Sequence, residues 1–220
     1  MKQRILALAL LVPLVLLEGC ATSRSEVRLA SPPPAAARAP DAKAPAVLIR
    51  SVKDERVFEQ APDEPSTPSL GFEGAAQATA DIKARAIGRK RNSFGKALGD
   101  VLLQEGQTVA GVVRENLAAA LTAAGYRVAD EKTADPNALV VDVRIRKFWS
   151  WIQPGFWAIT VAADIATDVD VTGASGPTSI SAHVEDGRQI VTEGAWLETL
   201  GKALQAWRQD AEKKLPAPPH

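Results

Sequence analysis

Two stretches of the chain repeat apolar residues at the spacing of a helix face, and the segments between them alternate like strands. Val109, Val112, Val113, Leu117, Leu121 and Ala124 share one face of a helix that Thr108 caps. Gly125 ends it as the left-handed residue after the last turn. Trp196, Leu197, Leu200, Leu204, Trp207 and Ala211 make a second stripe, in a helix predicted from about Glu193 to Leu215 and stopped by Pro216. A first strand is predicted over Ala46–Val52, where Val47-Leu48-Ile49 is too apolar for an exposed strand. Tyr126-Arg127-Val128 enters another.

A long hairpin carries the clearest alternation. Leu139, Val141, Val143, Ile145, Trp149 and Trp151 fall on one face, as do Trp157, Ile159, Val161, Ala163, Ile165, Val169 and Val171 on the return strand. A three-residue loop, Gln153-Pro154-Gly155, would pair Trp151 with Trp157 and Trp149 with Ile159, and would set Arg144 opposite Asp164. Ile180, Ala182 and Val184 mark a further strand, with a bulge or turn at Glu185-Asp186-Gly187-Arg188. Residues 58–76 read as a long loop rich in Pro and Gly. Residues 75–103 are ambiguous. An extended segment through Ala84–Ile87, a turn near Asn92–Gly95 and a return through Val101–Leu103 are favoured. The pattern predicts an α+β fold, an antiparallel sheet with two long amphipathic helices packed on one face.

The N-terminus changes the picture. Met1-Lys2-Gln3-Arg4 precedes an apolar run from Ile5 to Leu17, which is the pattern of a secretory signal. The run is shorter than the ~20 residues a membrane-spanning helix needs. It ends in Leu17-Glu18-Gly19-Cys20, which resembles the bacterial lipobox, although Glu18 departs from the small residue usual there. The resemblance implies cleavage after Gly19 and acylation of Cys20, and Ala21 in place of Asp implies sorting to the outer membrane with the domain in the periplasm. More than one acyl chain gives stable anchoring. The expected organisation is a signal peptide over 1–19, a lipidated Cys20 and Ala/Pro-rich tether over 20–45, an α+β domain over 46–215 and a frayed tail over 216–220.

Composition narrows the chemistry. The chain holds 26 Lys and Arg against 26 Asp and Glu, which argues against a binder driven by nucleic-acid phosphates. Cys20 is the one cysteine, so no disulfide and no Cys metal site forms within a chain, and the core rests on apolar packing. The two histidines are His183 and His220. Neither a phosphate loop nor a dinucleotide fingerprint nor metal-ligand spacing occurs, so no cofactor and no metal are expected.

Several motifs together resemble the YajG-type bacterial lipoproteins. They are the lipobox, the strand ending in Asp54-Glu55-Arg56, the segment Ile87-Gly88-Arg89-Lys90-Arg91-Asn92 and the Val109–Gly125 helix running into Gly125-Tyr126-Arg127-Val128. The resemblance covers about residues 46–215. It implies an outer-membrane lipoprotein with a compact α+β periplasmic domain, and it brings no catalytic residues.

Three groups compete as sites. His183 alternates with Ser179 and Ser181 on the polar face of its strand, and Asp164 and Asp168 belong to the neighbouring strand, so a Ser–His–Asp hydrolase is imaginable. Serines spaced along a strand lack the strained turn that activates a nucleophile, and a solvated sheet face is the simpler account. Asp164, Asp168 and Asp170 are likewise spread along one strand and make a poor metal cage. The aromatic tip is the sharper signal. Phe148, Trp149, Trp151 and Phe156 mark a docking surface, or else Trp149, Trp151 and Trp157 cap the core and leave Phe148 and Phe156 outward. Arg89, Lys90 and Arg91 form a basic cluster suited to anionic headgroups or an acidic partner. The expected function is a non-enzymatic envelope lipoprotein that binds a protein partner or cell-wall component, or assembles as a homo-oligomer. The alternatives are a periplasmic hydrolase using His183 and a lipid carrier or chaperone.

Overall fold

The computed structural model describes residues 24–33, 44–72, 74–92, 96–130, 132, 136–155 and 157–218, so Cys20 and Phe156 lie outside the described residues. One eight-stranded mixed sheet carries two long helices on one face.

Its organising strand is β6, Leu139–Pro154. Along one edge β6 pairs antiparallel with β7, Ile159–Val171, which pairs with β8, Thr178–Arg188. Along the other edge the sheet forks. The first half of β6 pairs parallel with β2, Ala46–Asp54, from Val47↔Leu139 to Asp54↔Ile145. The second half meets β3, Ala86–Arg91, also parallel, at Gly88↔Ser150. Beyond β3 lies β4, Ala97–Leu103, antiparallel to it, and beyond β4 lies β1, Ser25–Val27, parallel to β4. Strand β5, Arg127–Val128, adds parallel to β2. The sheet is therefore not all antiparallel. A parallel pair needs a crossover rather than a tight turn, and the chain between β2 and β6 supplies one through helix α2, Val109–Ala123.

Both long helices form where their spacing predicts. Thr108 Oγ1 accepts the Gly111 N–H at 3.1 Å at the start of α2. Its end is a Schellman turn: Gly125 adopts φ +100°, its N–H donates to Thr122 O, and Tyr126 N–H reaches Leu121 O. Helix α3, Glu193–Lys214, lies beside α2. Val113, Leu117 and Leu121 of α2 and Trp196, Leu200, Leu204 and Trp207 of α3 bury against Val141, Val143, Ile145, Phe148, Ile165 and Val169 of the sheet. Trp207 is fully buried and donates its indole N–H to Thr167 Oγ1 at 3.2 Å.

Residues 75–103 resolve into a short helix, α1, Ala80–Arg85, followed directly by the β3–β4 hairpin. Asn92 N–H donates to Lys96 O across the hairpin end at 3.0 Å. Strand β8 runs unbroken through Glu185–Arg188, where a bulge or turn was expected.

Two further expectations are overturned. Residues 24–33 are not tether. Ser25 and Val27 pack inward from β1, Leu29 is buried, and Gln107 clasps both backbone groups of Leu29, at 3.1 and 2.8 Å. The apolar alternation of Val27 and Leu29 outweighs the surrounding proline and alanine because a sheet edge is available to receive it.

The second correction concerns the hairpin. Its loop is four residues long, 155–158, with Pro154 opposite Ile159, Trp151 opposite Ala162, Trp149 opposite Asp164 and Arg144 opposite Asp168. A bulge between Ile145 and Lys147 inserts Arg146 and reverses the faces beyond it. Phe148, expected outward, is therefore fully buried on the helix side, in line with Ile145. Trp149 and Trp151 turn to the opposite face. There they build a second core with Leu70, Ala86, Leu102 and Ala162, against which Phe58, Ala78 and Ile82 of the long 55–82 segment pack. Trp157 sits in the loop and is 83% exposed rather than inward.

Candidate functional site

The fork leaves two different surfaces on the face away from the long helices. Over β3 and the end of β6, the loop before α1 covers Trp149, whose indole donates to Pro65 O at 3.2 Å and whose ring meets Phe58 edge-on. Over β2, β6, β7 and β8 the face is open and carries a ladder of paired charges. Arg50 pairs with Asp142, which also accepts Ser51 Oγ. Arg144 pairs with Asp170 at 2.9 Å. Arg146, carried outward by the bulge, bridges Glu55 at 2.6 Å and Asp168 at 2.8 Å. At the far end Asp164 joins Lys147 at 2.6 Å and His183 Nδ1 at 2.5 Å, while His183 Nε2 lies 3.3 Å from Glu185. The Trp151 ring lies 5.4 Å from Lys147 Nζ and 6.1 Å from the His183 imidazole centre.

These pairings set the protonation states. Hydrogen bonds from Arg146 and then Ser179 hold the Asp168 carboxyl below its ordinary range. Arg50 does the same to Asp142. The hydrogen bond to Asp164, against the cost of desolvation, raises His183 above its ordinary value of 6.5.

Ser179 Oγ donates to Asp168 at 2.9 Å, while His183 serves Asp164 and Glu185, so serine and histidine belong to separate pairs. The three aspartates of β7 take three different cations, and among the described residues no cluster of potential ligands is suited to a metal ion. A shallow cleft of about 430 Å3 lined by Arg50, Lys53, Asp142, Arg144 and Asp170 opens on this face. This surface carries fixed, alternating charge.

The raised His183 value has a testable consequence. A folded-state pKa above the unfolded one means that the contribution to stability is complete below about pH 6.5 and is lost as pH climbs through the raised value. NMR titration of the imidazole is expected to give a midpoint above 6.5, and Asp164→Asn to lower it. A midpoint at or below 6.5 in the unsubstituted protein would contradict the pairing.

Of the residues singled out by sequence, Phe148, Trp149 and Trp151 are core, so they form no docking surface. Cys20 and Phe156 lie outside the described residues. Arg89, Lys90 and Arg91 sit on β3 rather than in a turn. Burial pushes the Arg89 guanidinium down, and its side chain reaches Leu98 O and Ser69 Oγ. Sequence reasoning missed Lys147 as a partner of Asp164, because the bulge that aims it outward leaves no compositional trace. It also missed the neighbourhood of Arg24. That side chain pairs with fully buried Asp100 at 3.2 Å and lies 4.4 Å over the exposed ring of Phe72, itself held at φ 60°.

No family model matches the chain, and no curated protein matches it. Among solved structures, one uncharacterized protein is similar over 88% of this chain and 95% of its own, at 13% identity and a TM-score of 0.41. Protein XCC0632 from Xanthomonas campestris, described by the family model DUF330, is similar over 87% of this chain and 92% of its own, at 10% identity and a TM-score of 0.40. At these scores neither likeness bears on what this chain does.

Proposed function

We propose that this chain is an envelope lipoprotein of the YajG type, anchored in the outer membrane through Cys20, whose periplasmic domain docks a protein or cell-wall partner without catalysing a reaction. The observation that carries the reading is the junction of anchor and fold. The basic and apolar signal pattern ends at Cys20, and strand β1 follows at Ser25. Among the described residues no helix is long and apolar enough to cross a membrane.

The open charge ladder supports docking over hydrolysis, because its serine and histidine are bound to different carboxylates. A lipid carrier needs space between sheet and helices. That layer is filled by Phe148, Trp196, Leu200 and Trp207. The cleft of about 400 Å3 beside α2 and α3 lies outside it, under residues 28–33.

Replacing Cys20 by Ser removes the acylated sulfur. The variant is expected to leave the membrane fraction almost completely, and the parent to yield an N-terminal peptide carrying acyl mass. Membrane attachment unchanged in Cys20→Ser would refute the anchoring.

A further inference from the structure

The strand directions bring one end of the sheet close to the anchor. Strand β3 runs parallel to β6, so the β3–β4 hairpin end and the β6–β7 loop lie at the same end. Strand β1 is parallel to β4 with Ser25 beside Val101, so the chain enters the body at Arg24 from that end as well. Four residues lead from Cys20 to Arg24. At ~3.3–3.6 Å per residue the Cys20 Cα is therefore confined within about 14 Å of Arg24.

Exposed apolar side chains gather at this end, with basic side chains on its β3–β4 side and paired Asp186, Arg188 and Glu198 on its β8 side. Trp157 is 83% and Ile190 76% exposed, and Gln189 Nε2 donates to Trp157 O at 3.3 Å, tying the two segments together. Lys90 and Arg91 are half-buried near the end of β3, and Lys96 is exposed across the hairpin. The carboxylate nearest to Arg24, Asp100, is fully buried and accepts from Gly71 N–H at 2.6 Å as well as from Arg24.

We propose that this end of the sheet rests on the bilayer that holds the Cys20 acyl chains, with Trp157 and Ile190 in the interfacial zone and Lys90, Arg91 and Lys96 over phospholipid phosphates. The inference rests on the lipoprotein reading. It adds an orientation: the sheet stands with the β6–β7 loop down, and the turn between β7 and β8 faces away. Tryptophan at the headgroup level and basic residues above acidic lipid are the chemistry such a surface recognises. A reach of about 14 Å keeps the β1 edge of the sheet, where the chain enters, close to the membrane.

The test uses the full acylated chain in vesicles of phosphatidylethanolamine and phosphatidylglycerol. Because acylation consumes the Cys20 sulfur, single cysteines at Ile190→Cys, Lys96→Cys and Ser175→Cys can each carry an environment-sensitive fluorophore. Nitroxide headgroup lipids are expected to quench positions 190 and 96 at least threefold more than position 175, which lies in the distal turn. Adding Lys90→Glu and Arg91→Glu to the Ile190→Cys chain is expected to reduce its quenching severalfold. Equal quenching at 175 and 190, or no quenching at 190, overturns the orientation. Vesicle flotation and the acyl mass on Cys20 are read in the same samples. Unmodified Cys20 sinks the anchoring reading and this one together. An acylated, floating protein with position 190 unquenched sinks this one alone.

Discussion

Replacing Arg56 by Ala should lower the stability of the fold by about 4 kcal/mol, the cost of breaking a buried, hydrogen-bonded ion pair. The Arg56 side chain is fully buried at the fork, where β2 leaves β6 and β3 takes its place. Nε and Nη2 form a two-pronged pair with Asp54 at 2.8 and 2.7 Å. The remaining donors reach three backbone carbonyls, Ala86 O at 2.6 Å, Phe148 O at 3.0 Å and Lys83 O at 2.7 Å. One guanidinium thus closes the gap between β2, α1, β3 and β6. Alanine would leave those carbonyls without their partner in buried space, and partly exposed Asp54 without its counter-charge. Thermal unfolding followed by near-ultraviolet circular dichroism, which reports the packed tryptophans, should show a midpoint lower by roughly 8–16 °C at 2–4 °C per kcal/mol. Arg56→Lys keeps the charge but not the planar fork, and should recover less than half of the loss. An Arg56→Ala midpoint within 2 °C of the parent, about 1 kcal/mol on that scale, would remove the fork from the account.

The importance of Arg56 was only half legible. Asp54-Glu55-Arg56 stands out in the sequence as a strand end, and all three residues carry partners there: Asp54 binds Arg56 and Glu55 binds Arg146. That Arg56 joins strands from three parts of the chain depends on the parallel pairing of β2 with β6, a contact set by a long crossover and invisible to local spacing. Both long helices, and the caps of α2, were legible because helix periodicity and capping are local. The hairpin strands were legible for the same reason, yet the fate of the aromatic tip was not. One inserted residue, Arg146, reverses every side chain after it, so alternation counted through Ile145 places Phe148 and Trp149 on the wrong faces. The stretch Val27–Leu29 was masked by its neighbours in composition. The basic run Arg89-Lys90-Arg91 is legible in the sequence, but its position at one end of the sheet depends on the directions of β3 and β6.

Gly88→Ala should also destabilise strongly, and it tests the same junction from the other side. A Cβ on Gly88 would stand 2.7 Å from Ser150 O and 2.6 Å from the Trp196 ring. The first contact is backbone of the partner strand and cannot move aside without opening β3 from β6. The second is the tryptophan in the first turn of α3, which closes over this bridge. Overpacking of this kind costs about 1–3 kcal/mol, and a neighbour that is backbone puts the expectation at the upper end. Urea unfolding should show a lower midpoint with an unchanged slope. Arg56 binds Ala86 O and Phe148 O, each two residues from the Gly88–Ser150 bridge, so the two sites share strands on both sides. Arg56→Ala combined with Gly88→Ala should therefore lose less than the two single losses together, because a fork already opened by the first change accommodates the second. Full additivity would mean that guanidinium and glycine hold separate structures, and that the second half of β6 does not depend on Arg56 to keep β3 beside it.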